Sequence, residues 1–98
     1  MPTFVVTYHY ADGSEQRRAQ HRPAHVAFLH GLRDAGALYM SGPLTDEPPR
    51  AVLVLEDTDR PALEARMDAD PFFKGGVIAR RDIAEWTVVF DPRQADAR

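Results

Sequence analysis

Ala51-Val52-Leu53-Val54-Leu55-Glu56 is an apolar run of strand length in which both alternating sets, Val52/Val54 and Ala51/Leu53/Leu55, are apolar. A strand with one face in water carries polar residues at every second position, so this one reads as a central strand covered on both sides. On its N-terminal side lies a loop, Thr45–Arg50, with two prolines in tandem, and before it a short strand, Ala37–Ser41, broken by Gly42-Pro43. On its C-terminal side Asp57-Thr58-Asp59 precedes Arg60-Pro61, the pattern of a helix cap followed by proline in the opening turn. That helix carries Leu63 and Met67 on one face and must stop before Asp70-Pro71, because the residue before proline disfavours helical geometry.

Farther out, Phe4-Val5-Val6-Thr7-Tyr8-His9-Tyr10 is rich in β-branched and aromatic residues and ends at the turn signal Ala11-Asp12-Gly13-Ser14. The period then changes. His25, Leu29, Leu32 and Gly36 share one helical stripe, flanked by Val26, Phe28 and Ala35. Pro23 suits a first turn, which places the start of this helix near Arg22, and Gly36 is suited to end it. A last extended stretch is expected from Val77 to Phe90, and the polar residues Asp91–Arg98 are expected to fray.

The order is strand, helix, strand, strand, helix, strand. This βαββαβ arrangement predicts a ferredoxin-like α+β fold, with an antiparallel sheet and two helices on one face, formed by a single domain over residues 1–90. The first strand sends Phe4, Val6, Tyr8 and Tyr10 one way and Val5, Thr7 and His9 the other. Helices cover one face. No further layer is available for the apolar residues on the second, so a homodimer through the open sheet face is expected.

Composition narrows the function classes. The chain has 98 residues, 12 Lys and Arg against 15 Asp and Glu, and a formal charge of −3. A nucleic-acid partner, which calls for a concentrated basic stripe, is not expected. No cysteine is present, which excludes disulfides, thiol nucleophiles and thiolate metal sites. Apolar runs of four or five residues fall far short of a membrane span. Met1-Pro2-Thr3-Phe4 leads into a strand without the pattern of a signal peptide, so a cytoplasmic location is expected.

Chemistry must then come from histidines, carboxylates, Ser41 or the tyrosines. His25, on the apolar stripe, reads either as a core histidine bonded to backbone or as an acid/base group tuned by a nearby carboxylate. Asp70 reads either as a helix-terminating turn residue or as the carboxylate that orients an imidazole; side-by-side packing of the two helices would let the pair meet. Ser41-Gly42-Pro43 is a strand end where a ligand could approach the backbone closely and accept a hydrogen bond from Ser41. His9 falls on the face assigned to the dimer, and His21 and His30 read as solvent-facing. No metal-ligand spacing is present. Arg17-Arg18 and Arg80-Arg81 read as solvated charge pairs, and Phe72, Phe73 and Trp86 as core or pocket wall.

Four segments together resemble the YciI-like (YCII-related) family: RPAH at Arg22–His25, GALYMSGPL at Gly36–Leu44, ADPFFKGGV at Ala69–Val77, and Trp86. Their order and spacing match over about residues 3–90. The resemblance implies a dimeric α+β barrel and a His/Asp site, here His25 and Asp70, with Arg22, Ser41, Gly42, Pro43 and Phe72 around the same cleft. The loop Thr45–Arg50 is short for the family, which bears on the pocket mouth. A dehydrochlorinase among the relatives and the similar muconolactone isomerases imply cofactor-free, metal-free acid/base chemistry of lyase, isomerase or hydrolase type on a small cyclic or aromatic-derived molecule. The alternative is an accessory dimer that binds a small ligand without turning it over.

Overall fold

The computed structural model describes residues 1–93. Seven elements follow in order: β1 (Thr3–Tyr10), α1 (Glu15–Asp34), β2 (Leu38–Pro43), β3 (Arg50–Glu56), α2 (Arg60–Met67), α3 (Pro71–Lys74) and β4 (Ile78–Trp86). The strands form one antiparallel sheet in the order β2-β3-β1-β4. This is the ferredoxin-like α+β architecture, with β3 inside the sheet as its two apolar sets require.

The register shows how the core is assembled. Leu53, Val6 and Ile83 lie side by side across β3, β1 and β4, and Leu55 lies beside Phe4. These residues form one buried cluster with Leu32 of α1 and Leu63 and Met67 of α2. Each buried side chain of this size contributes roughly 1.5–3 kcal/mol of transfer free energy, so the sheet's helix-facing side anchors the fold. The next row, Ala51-Tyr8-Arg81, brings polar groups to the same side.

The opposite face carries a cross-strand row of Met40, Val54, Val5 and Ala84, and beside it a row of Gly42, Val52, Thr7 and Asp82. Met40 and Trp86 are exposed, at 64% and 48%. This face is mostly apolar along its middle, and among the described residues no helix lies on it.

Several boundaries differ from the sequence-based expectation. Helix α1 begins at Glu15, two turns before Arg22, and Pro23 lies inside it on the exposed side. The buried stripe extends back through His21 and Arg18 to the buried Ser14. Those inward positions are polar, so hydrophobic periodicity does not register them. Asp70-Pro71 opens the one-turn helix α3, where a turn was expected. Strand β4 stops at Trp86, short of Phe90. Of the stretch expected to fray, Asp91 is buried and ion-paired with Arg93, whose guanidinium stacks 3.4 Å from the Tyr39 ring centroid. Residues 94–98 of that stretch lie outside the described residues.

The expected stops and caps have clear physical form. Asp59 caps α2 by accepting the Ala62 N–H at 2.9 Å. Gly36 takes a φ of 77° at the end of α1, and the bonds Ala37 N–H to Leu32 O and Gly36 N–H to Arg33 O close a Schellman motif. Gly76, with φ 72°, closes α3 in the same way, through Val77 N–H to Phe72 O and Gly76 N–H to Phe73 O. Burial pushes the Asp57 carboxyl up. The hydrogen bonds from Thr58 N–H and Arg66 Nε, both 2.8 Å, outweigh it and hold the group below the usual carboxylate range.

Candidate active site

Asp70 is completely buried. It caps α3, where its Oδ1 accepts the Phe72 N–H at 2.9 Å. The same oxygen lies 2.8 Å from His25 Nδ1 of α1, and Oδ2 accepts the Tyr8 hydroxyl of β1 at 2.7 Å. One carboxylate therefore ties together a strand, the long helix and the short one. The pairing of the long helices is not what brings His25 to Asp70; α3 carries the aspartate to α1.

This bonding pattern assigns protons. The Tyr8 hydroxyl is pushed far above its ordinary value, first by burial and then by the charge and hydrogen bond of Asp70, so it stays protonated and donates. The Phe72 N–H can only donate. An ionised carboxylate only accepts, which puts the proton of the neutral imidazole on Nδ1 and leaves the Nε2 lone pair unused by this network. The ring is also clamped from its face. Phe72 stacks on His25 with centroids 3.8 Å apart and planes 3° from parallel. The tripeptide Asp70-Pro71-Phe72 thus fixes both the tautomer and the plane of the imidazole.

α3 sits this close to α1 because Gly75 has no side chain. A Cβ there would stand 2.7 Å from His21 Nε2 and 2.9 Å from the Pro71 carbonyl oxygen. His21, read from sequence as solvent-facing, is instead half-buried over this glycine, whereas His30 is exposed.

In front of His25 opens a hollow of about 230 Å³. Arg22, His25, Ser41, Gly42, Pro43 and Phe72 all line it, and Asp70 lies behind the imidazole, off the wall. Ser41 and Pro43 reach it because they pair with Leu53 and Ala51, on the helix-facing side of the sheet. Val26 and Leu29 supply an apolar flank. Among the described residues no three His, Asp or Glu side chains are grouped so as to hold a metal ion.

Besides apolar lining, sequence reasoning missed three polar residues of this wall: Tyr8, Tyr10 and Arg18. The tyrosines alternate with Phe4 and Val6, so their side of β1 was legible, but nothing marked their hydroxyls as partners of Asp70 or of the hollow. Arg18 lies seven residues before His25 and so on the same helical face, a signal lost once the helix was started at Arg22. Arg18 is not a solvated charge. Its side chain is 13% exposed, Nε donates to Ser14 Oγ at 3.1 Å, and the guanidinium lies 4.4 Å from the Tyr10 ring centroid. Arg17 bonds the Gly76 carbonyl, and Arg81 is packed over Phe73 and bonded to Asp68 at 2.9 Å, while Arg80 remains exposed. Phe72 is core as well as wall; Phe73 and Trp86 are exposed.

A second imidazole–carboxylate pair stands on the open sheet face, away from the hollow. His9 Nε2 is 2.8 Å from Asp82 Oδ2, and this bond, with the neighbouring Arg80, holds the Asp82 carboxyl below its ordinary range.

The family model of the YCII-related domain matches residues 3–87. Protein YciI of Escherichia coli O6:H1 is 31% identical over 86 residues, covering 79% of this chain and 88% of the relative, and Protein YciI of Shigella flexneri matches to the same extent. Among solved structures, 5-chloro-2-hydroxyhydroquinone dehydrochlorinase from Burkholderia phenoliruptrix AC1100, in complex with 2,5-dihydroxybenzoquinone, superposes with a TM-score of 0.78. It shares 22% identity, covering 87% of this chain and 93% of that one. An antibiotic biosynthesis monooxygenase superposes with a TM-score of 0.57 at 13% identity, covering 91% and 99%. The structural likenesses show the fold, the ferredoxin-like α+β architecture. The sequence matches go further: this chain belongs to the YCII-related family.

Proposed function

We propose that this protein is an acid/base enzyme of the lyase, isomerase or hydrolase type, acting in the cytoplasm on a small cyclic or aromatic-derived molecule. The observation that carries the reading is the 2.8 Å bond between His25 Nδ1 and the buried Asp70, with the imidazole on the wall of a hollow sized for a single substituted ring. His25 Nε2 takes a proton from a carbon next to a carbonyl. The electron pair of the broken C–H bond moves toward the carbonyl oxygen as an enolate. It then either expels a leaving group from the adjacent carbon or is reprotonated elsewhere on the ring by the imidazolium. Asp70 holds the ring and stabilises its charged form, the Ser41 hydroxyl donates to a substrate oxygen, and Phe72 with Val26 and Leu29 excludes water from one side. The dehydrochlorinase fold neighbour supports elimination as the first reaction to test.

The direct test is turnover by the wild-type protein of chlorinated hydroxyquinols and of small unsaturated lactones, followed by absorbance and chloride release. Conversion of at least one substrate class is expected. No conversion of either, by protein shown to be folded, would remove the catalytic reading and leave a ligand-binding one.

The protein works as a homodimer joined through the open sheet face. The row Met40-Val54-Val5-Ala84 supports this, since a contiguous apolar stripe across four strands is stable in water only when covered. Val54→Lys places a charge at the centre of that row. Sedimentation at micromolar concentration is expected to give two chains for the wild type and one for the variant, because leaving a buried charge unpaired at an interface costs on the order of 3–5 kcal/mol. A wild-type monomer would overturn the assignment.

A further inference from the structure

The charges around the hollow are unbalanced. Arg18, Arg22 and His25 follow one another along the same face of α1, and all three line the hollow, whereas no Asp or Glu is part of its wall. Asp70 makes no ion pair with either arginine: its oxygens are bonded to Tyr8, Phe72 and His25 behind the imidazole. The carboxylate nearest Arg18 is Glu15 at 3.8 Å, and that side chain is 78% exposed. Arg22 makes no ion pair among the described residues. The Arg18 guanidinium is nevertheless held in place, by Ser14 beneath and the Tyr10 ring alongside. Tyr10 itself reports the field: burial raises its hydroxyl above the ordinary value, while the charges of Arg18 and Arg22 oppose that rise.

A cation fixed in a half-enclosed wall, with only a solvent-exposed carboxylate beside it, is a site for an anion. We propose that Arg18 and Arg22 form an anion subsite, and that the molecule handled at His25 is a compact planar ring bearing an oxyanion on the side remote from the reacting carbon. This deepens the acid/base reading of His25 and rests on it. The spacing agrees. A rise of ~1.5 Å per residue separates Arg18 and His25 by roughly 10 Å along the helix, a gap spanned by a six-membered ring with oxygens at opposite positions plus a hydrogen bond at each end. The guanidinium fork matches a carboxylate or a delocalised enolate, and the flanking Tyr10 and Phe72 rings suit a flat ligand.

Isothermal titration with three ring compounds of the same para frame tests this: 2,5-dihydroxybenzoquinone as the ring enolate, 4-hydroxybenzoate as the carboxylate, and hydroquinone as the neutral ring. At least one anion is expected to bind the wild type about tenfold or more tightly than hydroquinone, with the preference shrinking at high salt; which anion wins identifies the group. Arg22→Gln, an exposed change, and Arg18→Gln are each expected to weaken that anion about tenfold and to leave hydroquinone unchanged, and Arg18→Lys to keep part of the preference. Equal binding of all three rings, or a preference that survives both glutamine variants, would overturn the subsite. The outcomes separate from those of the catalytic reading. Turnover of uncharged substrates with no anion preference removes the subsite alone, while anion binding without turnover of any substrate removes the catalysis alone.

Discussion

His25→Gln is expected to reduce turnover by about 10² to 10⁴-fold while leaving the fold intact, the range by which a positioned proton carrier accelerates such reactions. Glutamine fills similar space beside Phe72 and can keep a hydrogen bond to Asp70, but it has no basic nitrogen to turn toward the hollow. The loss should therefore fall on kcat rather than on ligand affinity. Asp70→Asn should act in the same direction through a different cause. It removes the negative charge that stabilises the imidazolium and turns an amide N–H toward Tyr8 or His25, where an acceptor is needed. The pair should be strongly non-additive, because a misoriented imidazole and a missing one fail at the same step. Steady-state kinetics on a substrate found by the turnover screen measures all three. A His25→Gln variant as active as the wild type would refute the assignment.

Asp70→Ala carries the largest expected effect on stability. The side chain has no exposure to water and accepts from Tyr8 Oη, the Phe72 N–H and His25 Nδ1. Truncation strands three donors at once. Each buried, unpaired donor costs about 1–3 kcal/mol, so the sum is on the order of 3–9 kcal/mol, set against the ~5–15 kcal/mol that holds an ordinary domain folded. The loss is also that of the α3 cap, so α3 should be the first element to open. Urea unfolding followed by circular dichroism is expected to show a midpoint far below that of the wild type, with Asp70→Asn between the two because its carbonyl still accepts the Phe72 N–H. A midpoint shift worth less than 1 kcal/mol would mean that the buried network contributes little to the fold.

The two roles of Asp70 show how far the sequence could be read. The element order, the doubly apolar β3 and the placement of His25 on an inward stripe were all legible, because they rest on periodicities of 2 and 3.6 residues that the side chains state directly. The resemblance then pointed to Asp70 as the histidine's partner. What could not be read was the third partner. Tyr8 is separated from Asp70 by 62 positions, and a hydroxyl aimed at a carboxylate leaves no trace in a hydrophobic pattern. Arg18 escaped for a related reason. The first two turns of α1 point polar groups inward, toward the hollow and α3, so the helix looks unfinished to any reading that follows apolar residues. The structural departures from pattern fall where the chain has turned polar chemistry toward its own interior.

The hollow is assembled from parts of unequal rigidity. Its imidazole side is locked by the helix α1, the β1 tyrosine and the Asp70-Pro71-Phe72 tripeptide, all of which also hold the domain together. Its far rim is Ser41-Gly42-Pro43, at the free margin of the sheet, running into the loop at Thr45. Substitutions at that rim leave the core untouched, so an evolving lineage could recut the mould many times over while inheriting the same imidazole–carboxylate frame unchanged.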